Sequence, residues 1–409
     1  MMWTILTGSF LQSRGAIFPA LKAVGFTPRE SRRIWGAFRH GVWRINECLN
    51  QWGSYVQSEG QWVSHSYEGY RPVAVDWTAI WRFKLKGWAG KMYNGLLGRA
   101  VRGVGFGLVC QVGQVEGQRI PLLRQIIRPN QQDQSEAKLK EDTLRWVKHH
   151  LDESEVAVID AGVTVTDMQR IGLDQYVIRL ANNCTGRRNY LPPYKGRGCR
   201  PKWGEKVRPL PRTRLENVIE ATAPDRCETI EFEGRMIKVQ GWTDLIPSDY
   251  KPGEAPATFT IWVFFDPLYD APLVLGTNLT NVTPLTIFCL YLDRWPVEQI
   301  PLVAKQMLGV HRQFVFAPES CYRLPELAFL LGNILTYLAA VLPPMPTGFW
   351  DRRPKKRLDA YGASWPASIF LKMPFLTLDF GKRTPLPLSY PKALLLIDAK
   401  RRLHQFNTV

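Results

Sequence analysis

The segment "EVAVIDAG" (155–162) narrows the choice of fold more than any other. Val156 to Ile159 offer no polar face, so a strand made of them must be covered on both sides. That demand is met where helices flank a largely parallel sheet. "RPVAVDW" (71–77) has the same texture, and both apolar runs end in a carboxylate, Asp160 and Asp76. "GVGFGLVCQVG" (103–113), "QYVIRL" (175–180), "TFTIWVFFD" (258–266) and "APLVLGTN" (271–278) read as further strands, and residues from about 135 to 151 as a helix. Strands alternating with helices predict an α/β core. With 409 residues, 45% of them hydrophobic, the chain can bury one large core with insertions or two to three smaller ones.

Residues 1–68 read as a small helical region. "TPRE" (27–30) is a helix start, with Thr27 as N-cap, Pro28 in the first position and Glu30 closing a capping box. Ile34, Phe38, Val42, Ile45, Leu49 and Trp52 then recur at helical spacing. Arg29, Arg32, Arg33, Arg39 and Arg44 lie largely off that stripe, either as a solvated face or as a DNA contact. The start of the chain lacks the basic-first order and long apolar run of a signal peptide. The longest apolar stretch, 327–342, is short for a membrane span and carries Asn333 and Thr336, so a buried core helix is expected. Seven scattered cysteines with no CxxC pair argue against structural zinc and for reduced thiols in a cytosolic protein.

The balance of 53 Lys and Arg against 36 Asp and Glu gives a net charge of +17, which favours a polyanionic partner. Part of the excess lies in a Pro/Gly-rich interval, 184–214, expected to hold no regular core element. Eight cations between 187 and 208, among them Arg187, Arg188, Lys195, Arg197, Arg200 and Lys202, are interleaved there with Tyr190, Tyr194 and Trp203. The interval reads as a solvated loop or as a segment whose cations neutralise phosphates and whose aromatics stack on bases. A hairpin with Glu-Gly at its turn is expected in 229–242. Trp242 and Trp295 are further stacking candidates, with a core role as the alternative for each. Residues from 343 onward are Pro-rich and basic, with little periodicity.

Carboxylates at the ends of strands in one α/β core fall where open sheets form sites. Asp76, Asp160 and a third acid could hold hard divalent cations for in-line phosphoryl displacement. Glu298 is the candidate third acid. It lies in "YLDRWPVEQIPLVAK" (291–305), where Tyr291, Arg294, Glu298 and Lys305 are spaced three, four and seven apart. On one helix these four would share a stripe about 60° wide. Pro296 and Pro301 oppose a straight helix and predict a helix start at Pro296 or a kink.

Tyr291-x2-Arg294-x3-Glu298-x6-Lys305 resembles, position for position, the YREK signature of DDE transposases of the insertion-sequence-4 type. "VDWT" with Asp76 and Thr78, "VIDAGV" with Asp160, "LGTNL" (275–279) and the Leu308-Gly309 pair are similar to that family too. The resemblance spans about 70–342. It implies a ribonuclease H-like mixed-sheet core in two parts, 69–183 and 257–342, interrupted by a basic, β-rich insertion at 184–256. A helical 1–68 and an irregular basic 343–409 flank this core. Asp76, Asp160 and Glu298 would bind two Mg²⁺ (or Mn²⁺), and Tyr291, Arg294 and Lys305 would hold phosphates near an element end. The implied partners are double-stranded DNA, both element ends and target, and a second copy of the chain. The implied setting is the bacterial cytoplasm at the nucleoid, with no membrane. A relative that binds DNA without cutting it, or another ribonuclease H-like nuclease, are the rival readings.

Overall fold

The computed structural model describes residues 1–214 and 217–344. Five helices come first: α1 (Met2–Leu6), α2 (Ser9–Gln12), α3 (Ile17–Ala23), α4 (Pro28–His40) and α5 (Ile45–Glu59). The capping box of α4 forms as its sequence predicts: Thr27 Oγ1 accepts the Glu30 amide, and the Glu30 carboxylate accepts the Thr27 amide. The stripe from Ile34 to Trp52, however, is not one helix. α4 stops before Gly41, and Val42 is 90% exposed. The Arg323 guanidinium donates to the carbonyls of Phe38 (2.7 Å) and Gly41 (2.6 Å), groups that a continuing helix would have engaged itself.

The chain then enters a sheet through β1 (Val63–Ser64), β2 (Arg71–Trp81), β3 (Lys91–Asn94), β4 (Arg99–Val115) and β5 (Gln118–Ile127). β2, β4 and β5 form an antiparallel meander, with β1 and β3 pairing along β4. Helix α6 (Glu136–His150) crosses over to β6 (Glu155–Ile159), parallel to β2, and α7 (Val165–Ile171) crosses to β7 (Tyr176–Arg179), parallel to β6. One expectation is corrected here: β2 does not end at Asp76. Its antiparallel partner β4 escorts it to the Trp81–Gly103 pair, whereas its parallel partner β6 stops at Ile159, opposite Val75. Asp76 is interior to the strand and lies at the end of its parallel ladder.

The Pro/Gly-rich interval is also more regular than expected. β8 (Gly186–Arg188), β9 (Lys206–Val207) and β10 (Arg212–Arg214) lie within it, and Val207 is fully buried. β10 pairs with β11 (Asn217–Ile219), and then β12 (Arg226–Phe232) and β13 (Arg235–Pro247) form the expected hairpin. Glu233 and Gly234 both take positive φ, as a two-residue hairpin turn requires. β14 (Phe259–Phe265) and β15 (Leu273–Thr277) complete a mixed sheet of thirteen strands among the described residues. Its order is β1-β4-β2-β6-β7-β15-β14-β13-β8-β9, with β3 and β5 beside β4 and β12 beside β13. β8 reaches the sheet by pairing with β13, so an interval poor in apolar residues extends an edge that the hairpin offers.

Helices cover both faces of the central strands. Odd-numbered residues of β2 and β6 (Val73, Val75, Ala157, Ile159) pack with Leu144 and Val147 of α6 and Met168 of α7. The other face carries α8 (Pro284–Leu292), a 3-10 turn (Trp295–Glu298), α9 (Gln299–Gln306), a second 3-10 turn (Val310–Arg312) and α10 (Pro318–Val341). Val156 and Val158 pack with Ile287, Phe288 and Tyr291 of α8, while Ala74 and Ile80 belong to the core of α9, α10 and the N-terminal helices. α10 is long and apolar enough to cross a membrane, and 94% of its most apolar window is buried inside the protein. That burial is the core role expected for 327–342. Its Asn333 is a buried polar hub: Oδ1 accepts from Trp52 Nε1 (2.8 Å) and the Leu123 amide (2.9 Å), and Nδ2 donates to the Pro121 carbonyl. An Asn333→Leu variant removes all three of these hydrogen bonds from an apolar core. It should lose about 3 kcal/mol of stability in urea unfolding, whereas Thr336→Val, whose hydroxyl bonds only back to Gly332, should lose far less.

Candidate active site

The register of the parallel pair builds the site. Val75 is level with Ile159, so Asp76 and Asp160 follow side by side on neighbouring strands. Both are even-numbered and therefore point to the face that carries α8, α9 and α10. Burial pushes the Asp76 carboxyl up from 3.8 to about 6, and the charges of Glu298 and Asp160 push the same way, against the Trp77 amide and Arg294. Glu298 and Asp160 therefore lie close enough for their charges to act on Asp76.

The segment 291–305 closes over this pair in jointed form. α8 ends at Leu292, the chain turns through Trp295–Glu298 as a 3-10 helix with Pro296 in its first turn, and α9 takes over at Gln299. The interruption expected at Pro296 is present, and Pro301 is accommodated in the first turn of α9, where its missing amide proton is not needed. Tyr291 Oη donates to Asp160 Oδ1 at 3.1 Å, and burial holds its phenol up at about 12, so it stays a donor. Arg294, nearly buried, reaches Asp160 Oδ2 at 3.5 Å and makes a short ion pair with Glu298 Oε1. Its guanidinium also lies against the rings of Tyr291 (5.7 Å) and Trp295 (5.8 Å). Lys305 Nζ donates to Thr78 Oγ1 at 2.7 Å, two residues along β2 from Asp76. Burial lowers the Lys305 pKa while the Asp76 charge raises it.

All six residues expected from this signature, Asp76, Asp160, Glu298, Tyr291, Arg294 and Lys305, come together. Tyr291 and Arg294 are engaged with carboxylates and Lys305 with a hydroxyl. Among the described residues, no three of His, Cys, Asp and Glu are gathered tightly enough to ligate one ion as they stand. The Arg294 guanidinium bridges Asp160 and Glu298. The hard oxygen donors, and the need for positive charge that Arg294 meets, suit a divalent ion of the magnesium type.

A comparison with protein-family models and with curated proteins finds no match to this chain. The site is read from its own geometry.

The basic interval is placed elsewhere. β8, which carries Arg187 and Arg188, lies five strands from β6 in the sheet order, about 24 Å by ordinary strand spacing. Arg187 donates to the carbonyls of Ser248 (3.1 Å) and Gly204 (3.0 Å) and stacks on Trp203, while Arg188 is paired with Asp225 at 2.6 Å. These two arginines tie the loop to β13. Lys195, Arg197, Arg200, Lys202 and Trp203 are exposed. Trp242 is a core residue: it is fully buried and donates to the carbonyls of Thr222 and Ala223.

Two residues of the site carried no sequence signal. Arg179, at the end of β7, reaches Asp160 Oδ1 at 3.7 Å, where an exposed position in a short strand gave no hint. Asp293 is fully buried beside Arg294 and gathers Arg119 Nε (2.9 Å), His65 Nδ1 (2.7 Å) and Tyr67 Oη (3.0 Å). It holds the α8 joint onto the first strands, and only the tertiary fold brings these partners to it. Removing this buried acid takes an acceptor from Tyr67 and His65 and leaves the partly exposed Arg119 to water, so Asp293→Ala should cost about 1–3 kcal/mol in denaturant unfolding.

The raised pKa of Asp76 fixes a pH dependence. The folded state holds this proton more tightly than the unfolded chain does, so stability falls as pH rises from about 4 to about 6 and is flat above. Asp76→Asn should remove that slope. Thermal melts should show the variant more stable than the parent at about pH 8 and the two converging below about pH 4.

Proposed function

We propose that this chain is a DDE transposase of the insertion-sequence-4 type, acting on DNA as a metal-dependent nuclease and strand transferase. The observation that carries the reading is the level placement of Asp76 and Asp160 on parallel strands with Tyr291, Arg294 and Glu298 closing over them. The meander followed by two parallel strands, and the β-rich block between Asp160 and the helices bearing Glu298, support a ribonuclease H-like core with an insertion. A net charge of +17 fits a DNA partner.

In this reading Asp76, Asp160 and Glu298 hold two divalent ions. When bound, these ions supply an activated water or 3′-hydroxyl and stabilise the leaving oxygen. The remaining work belongs to side chains. Once the carboxylates have other company, Arg294 and Lys305 present fixed cationic donors to phosphate oxygens, and Tyr291 adds a neutral hydroxyl donor. Asp293 fixes the joint from which Arg294 projects. A second copy would serve the other element end.

Asp76→Ala, Asp160→Ala and Glu298→Ala should each abolish Mg²⁺-dependent cutting of DNA carrying the flanking inverted repeats, while binding that DNA. A variant that still cuts removes the catalytic assignment, and a parent protein that binds without cutting favours the non-cutting relative. Arg294→Ala and Lys305→Ala should lower end-specific cutting at least tenfold; unchanged cutting of generic DNA points to another nuclease of this fold. Affinity should fall steeply between about 50 and 200 mM salt, as counterion release requires.

A further inference from the structure

The face around α9 is unusual in what it leaves uncovered. Trp295 (61% exposed) and Leu302 (51%) stand on the outward side of the 291–305 segment, in line with Glu298 and Lys305. Past the end of α9 the chain presents Phe314 (64%) and Phe316 (58%), their rings edge to face at 5.2 Å. Phe83 (57%) lies just beyond β2. Exposed aromatics grouped in this way call for a partner.

The surface is fastened to the carboxylate site. Asp76, Thr78 and Ile80 follow at two-residue steps on β2, and Arg82 comes directly after the strand. Thr78 holds Lys305, while Arg82 donates to the Val315 carbonyl at 2.6 Å and lies over the Phe316 ring at 5.4 Å. Phe316 is thus anchored by Arg82, six residues along the chain from Asp76. Lys84 and Lys86, just past Arg82, and Arg312, two residues before Phe314, are exposed, and among the described residues none of the three is in an ion pair. Flat apolar groups with exposed cations nearby complement a polyanion with exposed flat faces, which describes unpaired nucleotides rather than an apolar protein surface.

We infer that Phe314 and Phe316, with the cations beside them, form a stacking platform for unpaired nucleotides of the DNA. The inference rests on the transposase reading and adds to it a place and a strand state for the DNA beyond the reacting bond. Both rings are largely outside the core, so their replacement should leave the melting temperature near that of the parent.

The test uses the full chain in Ca²⁺ and compares a blunt duplex with the same duplex bearing a single-stranded extension of about ten nucleotides. The parent should bind the extended DNA at least tenfold more tightly, and 2-aminopurine in the extension should lose fluorescence on binding. F314A/F316A should erase both effects while leaving blunt-duplex affinity intact, and F314W/F316W should keep them. An extension that helps parent and F314A/F316A equally, or that helps neither while blunt duplex is bound, overturns the platform and leaves the transposase reading standing. A parent that binds neither DNA overturns both. If F314A/F316A instead abolishes self-association and leaves DNA binding untouched, the surface is an interface between copies and the platform is wrong.

Discussion

Two carboxylates on adjacent parallel strands, turned to the same face, repel each other. At about 5 Å and an effective dielectric near 20 the repulsion is about 3 kcal/mol, a large share of a typical domain's stability. Much of the structure around Asp76 and Asp160 can be understood as a response to that cost. The Asp76 carboxyl is pushed towards its neutral form, Tyr291 donates to Asp160, and Arg294 lies between Asp160 and Glu298. A guanidinium is well suited to this task, since it stays charged when buried and spans two acceptors.

What could be read from the chain was whatever shows in local pattern. The fully apolar run at 156–159 demands cover on both faces, and α7, α8 and their neighbours supply it. Thr27 and Glu30 announce a helix start because a capping box is complete within four residues. Pro296 announces a break because proline opposes helix continuation wherever it sits. Spacing alone assembled Tyr291, Arg294, Glu298 and Lys305 as one set, and that set converges on Asp76 and Asp160.

What escaped the reading depends on partners distant in sequence. β2 runs past Asp76 because β4 pairs with it, and no residue of β2 encodes the length of β4. Val42 leaves its stripe because Arg323, far along the chain, closes the end of α4. The Pro/Gly-rich interval gains β8 because β13 presents an edge to it. Asp293 carries no local signal, and its weight comes from Arg119, His65 and Tyr67.

The joint between α8 and α9 coincides with a seam in the interior. α8 is packed into the apolar cluster of Val156, Val158 and Phe264, whereas α9 is packed into the one that holds Trp52, α10 and the N-terminal helices. Tyr291 therefore sits on one apolar cluster and Glu298 and Lys305 belong to a segment seated on another, while Asp76 and Asp160 are held level by the pairing of β2 with β6 beneath them. The joint is where two separately packed cores meet above one continuous sheet.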